Sequence, residues 1–157
     1  MPTYYLDSSA VIKLYQSEEG SKGVEQILDE PDSLHLISRL TVVEIERAFS
    51  RRRRINEVSQ EELEELRFGF HLDLRRRRFR VKEVLPFHYR SAIRLVRNYA
   101  SSQHVPLVRS LDALHLAVAL DIRKRDGLDT FVCTDKDLCD VAKAEQLNVL
   151  MPNDNES

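Results

Sequence analysis

The chain has 157 residues and a net charge of −2; 42% of its residues are hydrophobic and 32% are charged. With few glycines and prolines, this composition excludes a disordered or collagen-like protein and predicts one domain over residues 1–157 with an ordinary core. No apolar run approaches the ~20 residues that cross a bilayer, and Asp7 comes too early for a signal peptide, so we expect a cytoplasmic protein without a membrane partner.

Short β-prone segments alternate with helical segments along the whole chain. The first half predicts a strand at 3–6, helices at 10–16 and 21–28, a turn at 31–33, a strand at 34–37 and a helix at 39–53. A capping box at 59–62 opens a long helix, and a third strand follows at 81–84. The remainder predicts a helix from Pro86 to about 101, a helix at 111–124 capped by Ser110, a strand at 130–133, a helix at 135–146 and a strand at 149–151.

This alternation predicts the fold class. Strands separated by helices are typical of an α/β fold with a central, mostly parallel sheet of four or five strands flanked by helices. The helix at 111–124 is apolar on nearly every side and should be deeply buried. In such sheets, functional sites form at the carboxyl ends of the strands.

The segment at about 47–80 is predicted to form an arginine-rich helical hairpin. Positions 47–90 carry 13 Lys and Arg against 7 Asp and Glu, a local net charge of +6, whereas the rest of the chain carries −8. The hairpin contains two runs of four arginines, at 51–54 and 75–78. The runs fit contact with RNA phosphates, contact with an acidic partner or plain solvation, and the sequence leaves these open.

The two cysteines, Cys133 and Cys139, show no zinc-binding spacing. Cys133 lies in an apolar run and is expected to be a buried thiol. A disulfide is not expected in a cytoplasmic protein.

Four acidic residues follow strands or begin helices. Asp7 ends the first strand, Glu44 lies early in the helix after the second, Asp112 is at the second position of the apolar helix, and Asp135 follows the strand at 130–133. If the sheet is parallel, these positions converge on one edge of it. We therefore expect Asp7, Glu44, Asp112 and Asp135 to form one site.

Each acid also has a purely structural interpretation. Asp7 and Asp135 suit helix N-caps, Glu44 completes a capping box with Thr41, and Asp112 suits the positive end of a helix dipole. Asp112 resists this interpretation most, because its apolar neighbours predict a partly buried carboxylate that needs a cation or hydrogen-bond donors.

A divalent metal ion would relieve the repulsion among four clustered carboxylates. Ligands that are oxygen atoms alone favour Mg²⁺ or Mn²⁺ over zinc. His115 lies three residues after Asp112, where it either joins the ligands or hydrogen-bonds within the core. Metal ions held by carboxylates activate water for phosphodiester cleavage without a protein nucleophile.

The surroundings of these four acids resemble the four motifs of the PIN-domain family. The matching stretches, in the family's order, are YLDSSAVIK around Asp7, LTVVEI around Glu44, LDALHLA around Asp112 and VCTDKDL around Asp135. Together they span nearly the whole chain. The size and single-domain build are similar to VapC-type toxins of bacterial toxin–antitoxin pairs.

The resemblance implies a PIN-like three-layer fold and a Mg²⁺- or Mn²⁺-dependent endoribonuclease. It implies a homodimer that a small VapB-like antitoxin inhibits. By the same resemblance, Asp7 and Asp112 are the firmest metal ligands, Glu44 completes the first metal site, and Asp135 binds metal directly or through water.

Two further positions match residues that support these acids by hydrogen bonds, namely Ser9 and Thr134. Asp137 is the alternative to Asp135 in the fourth motif. The arginine-rich hairpin lies in a region that varies among such proteins, so the resemblance implies nothing for it.

Two other functions compete with the ribonuclease hypothesis. One is a PIN-fold module that binds RNA or protein without catalysis, against which the intact set of four acids argues. The other is an aspartyl phosphotransferase, but its phosphatase form needs a second aspartate where this chain has Ser9.

Overall fold

A computed structural model describes residues 1–153 of the chain. Its centre is a five-stranded sheet in the order β3-β2-β1-β4-β5, and every pair of neighbouring strands is parallel. The strands are β1 (Thr3–Leu6), β2 (Leu34–Ser38), β3 (Arg80–Lys82), β4 (Thr130–Val132) and β5 (Val149–Leu150). The predicted α/β fold with a parallel sheet is confirmed.

Helices connect the strands. They are α1 (Ser8–Val11), α2 (Ser21–Leu28), α3 (Arg39–Arg54), α4 (Gln60–Arg75), α5 (Pro86–Asn98), α6 (Ser110–Arg125) and α7 (Lys136–Ala144). The predicted capping box is present: Ser59 accepts from the Glu62 backbone N–H, and the Glu62 side chain accepts from the Ser59 backbone N–H. Pro86 occupies the first turn of α5, as expected from its missing backbone donor.

The side chains of the central strands alternate between the two faces of the sheet. Tyr5 of β1 and Phe131 of β4 are buried under the layer that contains α5, α6 and α7. Leu6 packs on the other face, among residues of α1 to α4 such as Phe49 and Phe70. The molecule therefore has three layers with one core on each side of the sheet, and α6 has the deep burial that its composition predicts.

The strand order places the functional edge. From β1 the chain moves to β2 and β3 on one side, then crosses to β4 and β5 on the other. Such a change of direction opens a crevice at the carboxyl ends of the strands. Asp7 and Asp135 both follow strands that end there, and α3 begins there directly after β2.

Three local predictions were wrong. The first helix begins at Ser8, two residues earlier than predicted, and tightens into a 3-10 turn over Ile12–Leu14. It begins early because Asp7 caps it. The N-cap of α6 is Arg109 rather than Ser110, which is already helical.

The third error concerns the cysteines. The sulfur atoms of Cys133 and Cys139 are joined in a disulfide between the end of β4 and α7. Both residues are buried, as predicted for Cys133, but neither is a free thiol. The turn that Asp135 caps folds α7 back so that the two cysteines meet, which their spacing in sequence does not reveal. Within residues 1–153, no helix combines the length and the apolar character that crossing a membrane requires.

Candidate active site

One cavity of about 550 Å³ brings the four predicted acids together. Asp7, Glu44, Asp112 and Asp135 all line it, although they come from four separate segments of the chain. It lies where β1 and β4 end and where α3 and α6 begin. The expected convergence of the four positions on one edge of the sheet is therefore observed.

Asp7 is the most enclosed of the four acids, with 2% of its surface exposed. The Ser9 hydroxyl lies 2.7 Å from each of its carboxylate oxygens, and the Ala10 backbone N–H donates to Oδ1 at 3.0 Å. Burial nevertheless raises the pKa of Asp7 to about 6, against the lowering effects of Ser9, His115 and Ala10. The negative charge of Asp7 is thus under-compensated by the protein alone.

Glu44 is held from two sides. The Ser8 hydroxyl donates to Oε2 at 2.8 Å, and His115 Nε2 lies 2.6 Å from Oε1. Burial raises the pKa of Glu44, but the hydrogen bonds and the charge of His115, together with Ser8, outweigh it, so that the net shift is downward. Glu44 is therefore ionised and can only accept, which requires that Nε2 of His115 carries a proton.

His115 connects Glu44 to the core. It is completely buried, and its Nδ1 lies 2.8 Å from the Tyr5 hydroxyl. Burial, with the negative charge of Asp7, raises the pKa of Tyr5 well above its ordinary value, so the phenol keeps its proton. Tyr5, His115 and Glu44 form a hydrogen-bonded chain that runs from β1 through α6 to the cavity.

Asp112 and Asp135 share one arginine. The Arg109 guanidinium lies 3.3 Å from Asp112 Oδ2 through Nε and donates to Asp135 Oδ2 at 2.7 Å through Nη2. Burial and the charge of Asp135 raise the pKa of Asp112, whereas Arg109 lowers it, and the net shift is upward. The Arg109 side chain itself is 70% exposed, so this bridge lies at the mouth of the cavity.

Comparison with known proteins identifies the family. The PIN domain family model matches residues 4–144, almost the whole chain. This chain belongs to the PIN domain family. Ribonuclease VapC35 of Mycobacterium tuberculosis is 33% identical over 149 residues, which cover 94% of this chain and 96% of that relative. This PIN domain therefore groups with the VapC ribonucleases.

Solved structures show the same fold. VapC20 of Mycobacterium tuberculosis, described as a Sarcin-Ricin loop cleaving toxin, has a TM-score of 0.61 at 13% identity and covers 92% of this chain and 95% of its own. A toxin–antitoxin complex from Klebsiella pneumoniae has a TM-score of 0.57 at 16% identity, covering 85% and 88%. At such identities the likeness concerns the fold, and the predicted PIN-like architecture is confirmed.

The interpretation of the four acids as helix-capping residues is partly correct. Asp7 and Asp135 are indeed N-caps, since Asp7 accepts from the Ala10 N–H and Asp135 from the Leu138 N–H. Capping holds these carboxylates at the helix starts, where they also line the cavity. The capping-box interpretation of Glu44 is wrong, because Ser38 caps α3 and Glu44 bonds to other partners.

The two supporting residues meet at Asp7. The Ser9 hydroxyl accepts from the Thr134 backbone N–H at 3.1 Å while it contacts the Asp7 carboxylate. Thr134 thus contributes through its backbone, which ties the segment after β4 to the segment after β1. Asp137 lines a smaller neighbouring cavity of about 220 Å³ with Arg109 and Asp112, and it is not among the residues that line the main one.

Sequence reasoning missed three residues of the site, and it left a fourth, His115, with two possible roles. Arg109 stands three positions before Asp112, a spacing that brings side chains together on a helix and offered a signal. Ser8 lies inside the first motif beside Ser9. The Tyr5 contact joins positions 110 residues apart, and no sequence pattern indicates it. His115 takes the core role that was one of its two predicted possibilities.

The ligand atoms that the four acids offer are of the type that a hard divalent cation prefers. The four acids offer oxygen ligands alone, and the raised pKa of buried Asp7 marks a charge that a cation would compensate. In the arrangement described for residues 1–153, however, no three His, Cys, Asp or Glu side chains are grouped closely enough to hold an ion. In this arrangement Arg109 bridges two of the acids, and protein donors engage the other two.

Proposed function

We propose that this PIN domain is a Mg²⁺- or Mn²⁺-dependent endoribonuclease and the toxin of a toxin–antitoxin pair. The observation that carries the proposal is the single cavity lined by Asp7, Glu44, Asp112 and Asp135. The relatives add support, since VapC35 is named a ribonuclease and VapC20 is described as a Sarcin-Ricin loop cleaving toxin.

Asp7, Asp112 and Asp135, with Glu44, are the side chains that would hold the metal. When bound, such ions activate water and stabilise the leaving oxygen of a phosphodiester. The protein itself supplies position: Ser9 and the Ala10 N–H fix the Asp7 carboxylate, and Ser8 and His115 fix that of Glu44. Carboxylates held in this way lose little freedom on binding.

The same contacts disfavour Asp7 as a nucleophile. Both of its carboxylate oxygens lie 2.7 Å from the Ser9 hydroxyl, and burial favours its neutral form. A buried carboxylate that already accepts hydrogen bonds from the protein attacks phosphorus poorly, since nucleophilic catalysis needs an activated group. Hydrolysis by water suits this site better than the formation of a phosphoaspartate.

A cleavage assay tests the proposal. The full-length chain with Mn²⁺ and total cellular RNA should release defined fragments, and a chelator should stop the reaction. Asp7→Asn should lower the rate more than about a hundredfold, because removing even an outer partner of a metal ligand costs 10- to 100-fold. As a matched control, Asp126→Asn changes an exposed carboxylate at the far end of α6 and should retain the wild-type rate.

Two results would contradict this proposal. Equal cleavage by the wild type and by Asp7→Asn would show that the cavity carboxylates do not perform the reaction. RNA binding without any cleavage by the wild type, under all divalent metals tried, would instead indicate the inactive PIN-fold module.

The proposal includes two protein partners. A small VapB-like antitoxin is supported by the likeness to a solved toxin–antitoxin complex, and a homodimer by the resemblance to VapC-type toxins. Light scattering of the purified chain should give twice the mass of 18.3 kDa, and co-expression with any small protein encoded beside it should give a complex without nuclease activity. A monomer at all concentrations would contradict the dimer.

A further inference from the structure

A second cavity continues the active site along α3. It has a volume of about 630 Å³, and its wall includes Arg47, Ala48, Arg51 and Arg52 of α3. Arg47, Ala48 and Ile12 also line the carboxylate cavity, so the two spaces meet at these residues. We call the second cavity the α3 groove.

The α3 groove has two cationic side chains available for a ligand. Arg47 and Arg51 are exposed, and neither forms an ion pair with another residue in the described part of the chain. Both acids of the wall are already engaged, because Glu18 pairs with Lys13 at 3.2 Å and Glu57 pairs with Arg52 at 3.4 Å. The groove therefore presents unpaired positive charge next to a cluster of carboxylates.

The spacing of these residues follows the helix. Glu44, Arg47 and Arg51 lie three and four residues apart, which places them on one face of α3. With a rise of 1.5 Å per residue, Arg51 lies about 10 Å from Glu44 along the helix axis. That distance is longer than the rise of one nucleotide in a stacked strand, ~3.4 Å along the axis, so the two arginines and the carboxylates can contact different nucleotides of one strand.

The other arginines of the hairpin have different environments. Arg53 donates to Asn56 at 3.2 Å, and neither Arg53 nor Arg54 lines the groove. In the second run, Arg78 is bound to Glu25 and to Asp73 and so fixes the end of α4. The two arginine runs, which look equivalent in sequence, are thus not equivalent in the fold.

We propose that the α3 groove binds the phosphate backbone of single-stranded RNA and leads the strand to the carboxylates, an inference that rests on the proposed ribonuclease function. Among residues 1–153, no aromatic side chain lines the groove, so it offers no stacking platform and contacts the backbone without regard to sequence. The exposed apolar residues of the hairpin, Ile55 and Phe68, which would suit a protein partner, lie outside the groove.

Binding without cleavage tests this inference. In the Asp7→Asn background, with a chelator present, fluorescence anisotropy of a labelled single-stranded RNA of mixed sequence is measured over a salt titration. R47Q/R51Q should weaken binding tenfold or more at low salt and flatten the slope of log K against log salt by about 1.4, because each single-strand phosphate contact contributes ~0.7. R53Q/R54Q removes the same charge from the same helix and should change affinity and slope far less.

The outcomes separate this inference from the proposed function. If R47Q/R51Q binds RNA as tightly as its parent, or if both double variants weaken binding equally, the α3 groove is not the RNA-binding site. An unchanged affinity for RNA would indicate that the two arginines bind a protein partner instead. Circular dichroism and thermal unfolding verify that both variants fold. If R47Q/R51Q alone loses RNA affinity while the wild type never cleaves RNA, the groove binds RNA as inferred, but the proposed ribonuclease function is wrong.

Discussion

The four carboxylates of the site fall into two pairs that the protein holds by different means. Asp7 and Glu44, the serine-held pair, accept from the hydroxyls of Ser9 and Ser8, and Glu44 is also bound to buried His115. Asp112 and Asp135, the arginine-held pair, share the guanidinium of Arg109, which is 70% exposed, and Asp135 also accepts from the Leu138 backbone N–H. The cavity thus combines two modes of support for the same type of side chain.

The two pairs differ in whether their protein partner can move away when a ligand enters the cavity. The partners of the serine-held pair belong to the first turn of α1 and to the core helix α6, so their positions are set by the fold. Arg109 is a long side chain at the surface, and exposed ion pairs contribute only about 0–1 kcal/mol. We interpret the serine-held pair as fixed ligands and Arg109 as an exchangeable counter-ion for the other two.

Among the variants that separate the two pairs, the one that removes a hydrogen bond to Glu44 should lower the cleavage rate most. His115→Gln breaks the hydrogen-bonded chain from Tyr5 to Glu44, and losing an outer partner of a metal ligand should lower the cleavage rate 10- to 100-fold. His104→Gln, an exposed histidine, serves as the control. An unchanged rate in His115→Gln, with folding intact, would show that the position of Glu44 does not depend on this chain.

A second prediction concerns pH and the metal-free protein. The pKa of Asp7 is raised to about 6 by burial, so the folded state holds a proton that the unfolded state has already released above about pH 4. Stability should therefore fall as pH rises from about 4 to 6 and then level off, by an amount on the order of 3 kcal/mol.

Urea unfolding in a chelator, at several pH values between 4 and 8, measures this change. Asp7→Asn has no carboxyl to titrate at this position and should remove most of the decline. The free energy of unfolding of Asp7→Asn should exceed that of the wild type at pH 8, but it should not exceed it at pH 4. Parallel curves for the two proteins would show that Asp7 does not titrate in this range.

The smallest effect is expected at the arginine-held pair. Arg109→Gln removes a cation that competes with metal, so Mn²⁺ should bind more tightly by up to about fivefold, the equivalent of one exposed ion pair. Electron paramagnetic resonance of free Mn²⁺ measures this without any catalysis. Arg125→Gln, which breaks a similar surface pair with Asp121, is the matched control. Weaker Mn²⁺ binding in Arg109→Gln would make Arg109 a support of the site rather than a competitor.

Much of the fold was predictable because it depends on local patterns. The five strands, the capping box before α4 and the positions of the four acids follow from alternation, strand ends and helix starts. Asp7 and Asp135 were predictable as site residues for a related reason: a parallel sheet brings the residues after β1 and β4 to one edge. The family motifs around these acids pointed in the same direction.

The missing parts depend on angles and distances that sequence does not encode locally. His115 was placed on the face of α6 that carries Asp112, but its imidazole turns to Glu44 on a different helix. The expected compartment argues against a disulfide between Cys133 and Cys139, but it says nothing about the distance between the two side chains. The inequivalence of the two arginine runs likewise emerges only when α3 and α4 are folded onto the sheet.

If the four carboxylates share one cation site, anomalous diffraction from crystals soaked in Mn²⁺ should locate the ion there. We expect a manganese peak in the cavity in contact with Asp7 and with Asp112 or Asp135, and an Arg109 side chain that has turned away from both. A cavity without manganese, in which Arg109 still bridges Asp112 and Asp135, would contradict this expectation.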